Sequence, residues 1–337
     1  MATRPDYRCY WEGRFQRYIV DMPLGEKQLI QQIRRSARAR RSVAVGIGDD
    51  CAVLRVPSGH ELLVTTDFSI DKVHFRRDWH RPELVGRRCL VRGLSDIAAM
   101  GGQPLAAFLS LAVASDVPQK WVNHFLKGLL ALAREFKVSL AGGDTSESPQ
   151  GIQADIVVVG SVPRGKAVLR SGAKPGQNIY VTGDLGGSAA ALARLMEALP
   201  MGAEYYRHFN PQARVAVGQW LRQHQVATAM IDLSDGLSTD LDHICKASHV
   251  GADIEADAIP RSLFGTRKKR VTLELALHGG DDYELLFTAA AAPRLVAGVP
   301  ITRIGRTTQS AGMRLIDHDG NSHRLHPGGW EHFQRNL

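Results

Sequence analysis

Residues 164–177 read "RGKAVLRSGAKPGQ", a stretch rich in Gly, Lys and Pro with neither helical nor strand periodicity. Read as a linker, it splits the 337-residue chain into two α/β halves of similar size. Upstream, "ELLVTTD" (61–67) reads as a strand and "PELVGRRCLVRGLSDIAAMGG" (82–102) as a helix stopped by Gly101-Gly102, with Pro104 beyond. "LAAFLSLAVA" (105–114) is a buried strand. "VPQKWVNHFLKGLLALAREFK" (117–137) puts Val122, Phe125, Leu129, Leu132 and Phe136 on one helix face. "VSLAGGD" and "IQADIVVVGSV" complete the first half as strands. Downstream come "NIYVTGD" as a strand, "GGSAAALARLMEAL" as a helix, and "ATAMIDLSDG" as a strand running into a turn. "LSTDLDHICKAS" (237–248) is a helix, and "HGGDDYELLFTA" turns into a strand. The helices are too unevenly spaced for a strict Rossmann repeat.

Composition is that of a globular protein, 44% hydrophobic and 23% charged. The longest apolar run, 105–114, falls short of the roughly 20 residues a membrane span needs, and the N-terminus lacks a signal-peptide core. Cys9, Cys51, Cys89 and Cys245 are scattered without a C-x-x-C pair. That argues against a disulfide framework or zinc site and for a reducing cytoplasm. The net charge of +8 invites a nucleic-acid reading, but residues 1–41 hold ten Lys/Arg against four Asp/Glu, so the other 296 carry only +2. The excess around "QQIRRSARARRS" reads as a solvated helix end, and no nucleic-acid motif accompanies it.

Carboxylates carry the chemistry. Asp49 and Asp50 in "GIGDDCAVL" (46–54) are adjacent like charges beside an apolar run, costly unless something positive sits nearby. Asp67, Asp96, Asp144, Asp232, Asp235, Asp281 and Asp282 recur just after apolar strands or at turns rich in Gly, Ser or Thr. Alone, such an aspartate is ordinarily an Asx turn or helix N-cap. As a set at strand ends, they suit several Mg²⁺ ions on a polyphosphate. Other phosphate devices fail or stay weak. "GSVPRGKA" (160–167) has Ala167 where a P-loop needs Ser or Thr, and Pro163 inside it. "TGDLGGS" (182–188) is a weak anion-site candidate, and His74 alone is ordinarily a core or surface histidine.

Together, "GIGDDCAVL", "TTDFSIDKVHF", "LSDIAAMG", "LAGGDTS", "LRSGAKPGQNIYVTG", "IDLSDGLSTDL" and "GGDDYELLF" resemble, in order, the thiamine-monophosphate kinase family of the aminoimidazole ribonucleotide synthetase-like superfamily. The resemblance covers roughly residues 25 to 335. It implies an α/β (α+β) two-domain fold, with the N-terminal half forming a dimeric β-barrel-like interface and the C-terminal half α/β. The expected division is 1–24 as a disordered extension, 25–165 for ATP, Mg²⁺ and dimerisation, and 166–337 as the C-terminal domain. It implies a cytoplasmic homodimer that phosphorylates thiamine monophosphate with ATP, by in-line transfer assisted by several Mg²⁺ ions.

Matched residue by residue, the metal ligands fall on Asp50, Thr65, Thr66, Asp67, Asp96, Asp144, Asp232 and Asp235. ATP contacts fall on Gly143, Asp144, Arg170 and Ser234, and thiamine-phosphate contacts on His74, Asp281 and Trp330. Asp67, Asp96, Asp144 and Arg170 are the catalytic candidates. Three departures stand out: Asp281 where the family usually has Glu, Gly93 in place of a usual asparagine, and residues 1–21 without counterpart. The rivals are an aminoimidazole ribonucleotide synthetase-type ligase and a non-enzymatic Mg-nucleotide-binding protein.

Overall fold

The computed structural model describes residues 24–38, 40–264 and 268–333. The expected extension 1–24 lies almost wholly outside the described residues. In the first half the elements are α1 (Glu26–Ser36), β1 (Val43–Val45), β2 (Val53–Leu54), β3 (His60–Ile70), α2 (Pro82–Ala99), β4 (Gln103–Val113), α3 (Gln119–Glu135), β5 (Ser139–Glu147) and β6 (Ile152–Pro163). Four strands form one sheet in the order β3-β6-β4-β5, and β1 pairs with β2. β3 and β6 run antiparallel in unbroken register from His60↔Pro163 to Ile70↔Gln153. β4 and β5 are the parallel pair.

The second half contains β7 (Asn178–Thr182), α4 (Gly187–Met196), α5 (Tyr206–Phe209), α6 (Val215–Gln223), β8 (Ala229–Asp232), α7 (Leu237–Ser248), β9 (Gly251–Glu255), β10 (Leu263–Phe264), β11 (Lys269–Arg270), α8 (Leu273–His278), β12 (Leu285–Ala289), β13 (Leu295–Val296), β14 (Val299–Thr308), β15 (Gly312–Ile316) and β16 (Ser322–Leu325). Its main sheet runs β16-β15-β9-β14-β7-β12-β8, with β13 on β14. Only β9 and β15 in it pair in parallel. The segment read as a linker is irregular apart from a 3₁₀ turn at Arg170–Gly172.

α2 holds the two halves together. It is buried nearly all round, the pattern of a helix inside a core. It packs on β3, β6 and α3 of the first half and on α6 and β8 of the second. Its crossing with α3 is tight enough that a Cβ on Gly86 would lie 2.0 Å from the Phe125 carbonyl oxygen. The largest apolar cluster accordingly runs through both halves, from Leu90 and Leu94 to Leu285 and Phe287. α2 stops at Ala99, short of the expected Gly101-Gly102, because the Gly101 and Gly102 N–H groups close the helix end on the carbonyls of Ala98 and Ile97. Among the described residues, no helix is long and apolar enough to cross a membrane.

Candidate active site

The turn 46–52 and residues 140–145 of β5 enclose a cleft of about 670 Å³, backed by Ile30, Ile33, Phe108 and Leu109. That size fits a small ligand. Asp49, Asp50, Gly143 and Asp144 all line it. Gly143 has φ +146, and a Cβ there would fall 1.8 Å from the Leu109 carbonyl oxygen, so the close approach of β5 to β4 admits only glycine. Asp49 accepts the Asp50 backbone N–H at 3.0 Å, and Asp144 accepts that of Thr145 at 2.9 Å. Over the turn lies Arg34, whose Nη1 would be 2.6 Å from a Cβ on Gly48. Arg34 of α1 therefore packs against the residue just before the aspartate pair.

A second constellation sits where α2 meets both sheets. Thr65 donates a short hydrogen bond to Asp96. Ser95 donates to Asp232 at 2.6 Å. Burial, then the charge of Asp232, raises the Asp96 carboxyl above its ordinary range; burial does the same to Asp232. The Arg170 charge opposes both shifts. Two carboxylates forced together in a dry place are short of positive charge.

Beside this pair, Arg92 Nε donates to Asp67 Oδ1 at 3.0 Å. Burial nevertheless raises the Asp67 carboxyl, outweighing the guanidinium. Arg88 Nη2 donates to Asp281 Oδ2 at 2.8 Å, and the Tyr283 hydroxyl to Asp281 Oδ1 at 2.6 Å. Against the effect of burial, Arg88 and Arg92 hold Asp281 well below the usual carboxylate range. Asp281 sits at φ +64, and its backbone N–H is tied to the Ser234 carbonyl at 2.8 Å. His74 is pulled to about 4 by burial and then by Arg92. Its Nδ1 accepts the Ile70 N–H at 3.1 Å, and its ring lies 5.5 Å from that of His332. Trp330 stands 55% exposed, edge-on to His332 at 5.6 Å, with its backbone N–H on the Asp235 carbonyl at 3.0 Å.

The structure thus brings Thr65, Asp67, Asp96, Asp232 and Arg170 to one seam, and His74, Asp281, Ser234, Asp235 and Trp330 to its flank. Asp50, Gly143 and Asp144 line the separate cleft, and among the described residues no hydrogen bond or ion pair ties Asp50 or Asp144 to the seam. Thr66 points away: strand alternation turns it to the face opposite Thr65 and Asp67, where it donates to Asp155 at 2.6 Å. Asp67 and Asp144 also lie inside β3 and β5 rather than just past a strand end, because antiparallel pairing with β6 and parallel pairing with β4 extend both strands.

Sequence reading missed Arg88, Arg92 and Tyr283. The first two had a signal: Arg88, Arg92 and Asp96 follow at i, i+4 and i+8 on a helix whose other faces are apolar. It also missed Asp240 and His243, which with Asp235 form the one group of three His, Cys, Asp or Glu among the described residues with ligand atoms within 4.8 Å of one another. Asp240 accepts the N–H groups of Asp235 and Gly236 at 3.2 and 3.1 Å, so it braces the turn before α7.

The family described as AIR synthase related protein, N-terminal domain, matches residues 48–162. Thiamine-monophosphate kinase of Salmonella typhimurium (strain LT2) is 40% identical over 309 residues, 89% of this chain and 93% of its own. The crystal structure of thiamine-monophosphate kinase from Stenotrophomonas maltophilia K279a aligns with TM-score 0.76 at 36% identity, over 88% of this chain and 96% of that one. AaThiL complexed with AMPPCP and TMP aligns with TM-score 0.72 at 32% identity, over 92% and 97%. Two seam carboxylates short of a cation, a separate glycine-lined cleft and likeness over most of the chain at this identity agree: the chain belongs to the thiamine-monophosphate kinase family.

Proposed function

We propose that this chain transfers the γ-phosphoryl group of ATP to thiamine monophosphate, releasing thiamine diphosphate and ADP. The observation that carries the reading is the AaThiL complex, in which AMPPCP and TMP are bound to a fold that covers 92% of this chain. A phosphate oxygen of the acceptor attacks the γ-phosphorus in line. The new O–P bond forms as the bond to the β,γ-bridging oxygen breaks, and ADP leaves with that electron pair. The acceptor is already an anion at neutral pH, so no strong general base is needed. The obstacle is repulsion between two anions.

Mg²⁺ fits the residues present. Asp232 is a buried and Asp96 a half-buried oxygen donor, and desolvation has pushed both carboxyls up, the environment that a hard divalent cation relieves. Asp67, Thr65 and Asp235 beside them would complete the holding set, with Asp50 and Asp144 reached through the nucleotide. When bound, the metal neutralises phosphate charge. The protein's own groups do the rest. The cleft of 46–52 and 142–145 holds the nucleotide. Arg170 balances phosphate charge near Asp96. His74, neutral at working pH, and Trp330 flank the thiamine end, with Asp281 fixed between them by Arg88.

The chain is read as two domains, 25–165 and 166–337, paired in a cytoplasmic homodimer through the first. β3 supports the pairing, as an edge strand whose outer face leaves Leu62, Val64 and Phe68 49%, 65% and 55% exposed. An ADP-release assay tests the function. Stoichiometric turnover with thiamine monophosphate is expected. Turnover only with formylglycinamidine ribonucleotide makes the chain the ligase, and ATP binding without turnover makes it a non-enzymatic binder.

A further inference from the structure

Arg92 stands between the two groups of the proposed site. Its Nε bonds Asp67 at 3.0 Å on the metal side, and its Nη1 lies 4.0 Å from Asp281 on the thiamine side. Each Asp281 oxygen already accepts a closer hydrogen bond, from Arg88 at 2.8 Å and from Tyr283 at 2.6 Å, so Arg92 reaches Asp281 only through its charge. At 4.0 Å the Arg92 Nη1 is beyond hydrogen-bond reach, and its outer N–H groups make no hydrogen bond among the described residues. Yet the side chain is only 14% exposed, so this half-used guanidinium is held in place rather than left in solvent. An acceptor oxygen attacking a metal-bound γ-phosphate must lie between the metal aspartates and the thiamine contacts. Arg92 is at that junction.

We propose that Arg92 seats the acceptor phosphate, binding the dianionic monoester of the substrate through its free Nη groups. The assignment rests on the function read above. A guanidinium fork matches phosphate oxygens in pairs, which an ammonium cannot do. The same contact couples substrate to metal. A cation arriving at Asp67 competes with Arg92 Nε for one carboxylate, which releases more of the guanidinium toward the phosphate.

Calorimetry on the full chain with Mg²⁺ and AMPPCP, whose γ-phosphate is not transferred, compares thiamine monophosphate with thiamine. The parent protein binds the phosphate ester more tightly. Arg92→Met weakens the ester about tenfold or more and leaves thiamine within about twofold, which also reports that the variant is folded. Arg92→Lys loses a smaller factor, for the ester alone, and serves should the methionine variant not fold. Equal losses for ester and thiamine, or an unchanged preference for the ester in both variants, overturn the assignment. A parent protein that binds thiamine monophosphate no better than buffer overturns the functional reading itself, and the assignment with it.

Discussion

The Nε2 atoms of His80 and His208 face each other at 3.1 Å, one from the segment before α2 and the other from α5 across the seam. One proton fits between them. His208 Nδ1 is taken by Ser188 Oγ at 2.8 Å, and His80 Nδ1 faces the Arg76 backbone. A second proton would set two N–H groups head to head in a dry place beside Arg88. Burial, then Arg88, lowers His80 to about 4, and lowers His208 well below its ordinary 6.5.

The sign follows from the depressed values. The unfolded chain takes up these protons near 6.5 and the folded one does not, so stability is whole above 6.5 and lost as pH falls through about 4. His80 alone contributes on the order of 3 kcal/mol across that window. Carboxylates such as Asp96 and Asp240, raised by burial, push the other way over this range. The readout is therefore the difference: urea midpoints at pH 8, 6.5, 5 and 4 should show His80→Gln gaining on the parent as pH falls. Parallel profiles would contradict the buried neutral pair.

Asp96 is a costly group for stability. It faces Asp232 in a buried seam, and burial and that charge both oppose its ionisation. Asp96→Asn is expected to cut turnover by orders of magnitude while raising the metal-free Tm at pH 8. Mg²⁺ with AMPPCP should raise the parent's Tm by mass action and the variant's much less. Near-normal turnover in a purified Asp96→Asn protein sinks the metal assignment.

Gly93 is a packing position in this chain. A Cβ there would lie 2.5 Å from Val158 Cγ2 and 3.0 Å from Val158 Cβ, between α2 and β6. Restoring the asparagine usual in the resembling family, Gly93→Asn, should cost about 1–3 kcal/mol through overpacking. Gly93→Asn with Val158→Ala should recover much of it in thermal melts. A single substitution as stable as the parent would show that the seam has slack.

Glu284 is fully buried and accepts hydrogen bonds from Arg214 Nε at 2.7 Å and Thr182 Oγ1 at 2.6 Å, and also pairs with Arg207. Glu284→Ala strands the largely buried Arg214 guanidinium, and a loss of about 3–5 kcal/mol is expected in denaturant unfolding. Because Glu284 anchors the start of β12 three residues after Asp281, affinity for the thiamine end should weaken in the same variant. Wild-type unfolding would mean that water replaces the carboxylate.

The sequence alone determined what depends on near neighbours. α7 begins and ends at 237 and 248 as its pattern requires, and α3 buries Val122, Phe125, Leu129 and Leu132 as its spacing requires. Aspartates in Gly, Ser and Thr settings stood out because a carboxylate beside an apolar strand is costly and must be used. Tertiary structure decided which of them meet. Antiparallel register turned Thr66 away and carried β3 past Asp67. Asp281 found Arg88 from 193 positions away, a pairing that no local pattern encodes. β14, β15 and β16 were unread because strand pairing is a contact between distant segments, fixed only when the sheet closes. Asp96 and Asp232 were each legible as candidates. Their shared shortage of positive charge exists only because α2 is buried between two sheets, where water cannot screen them.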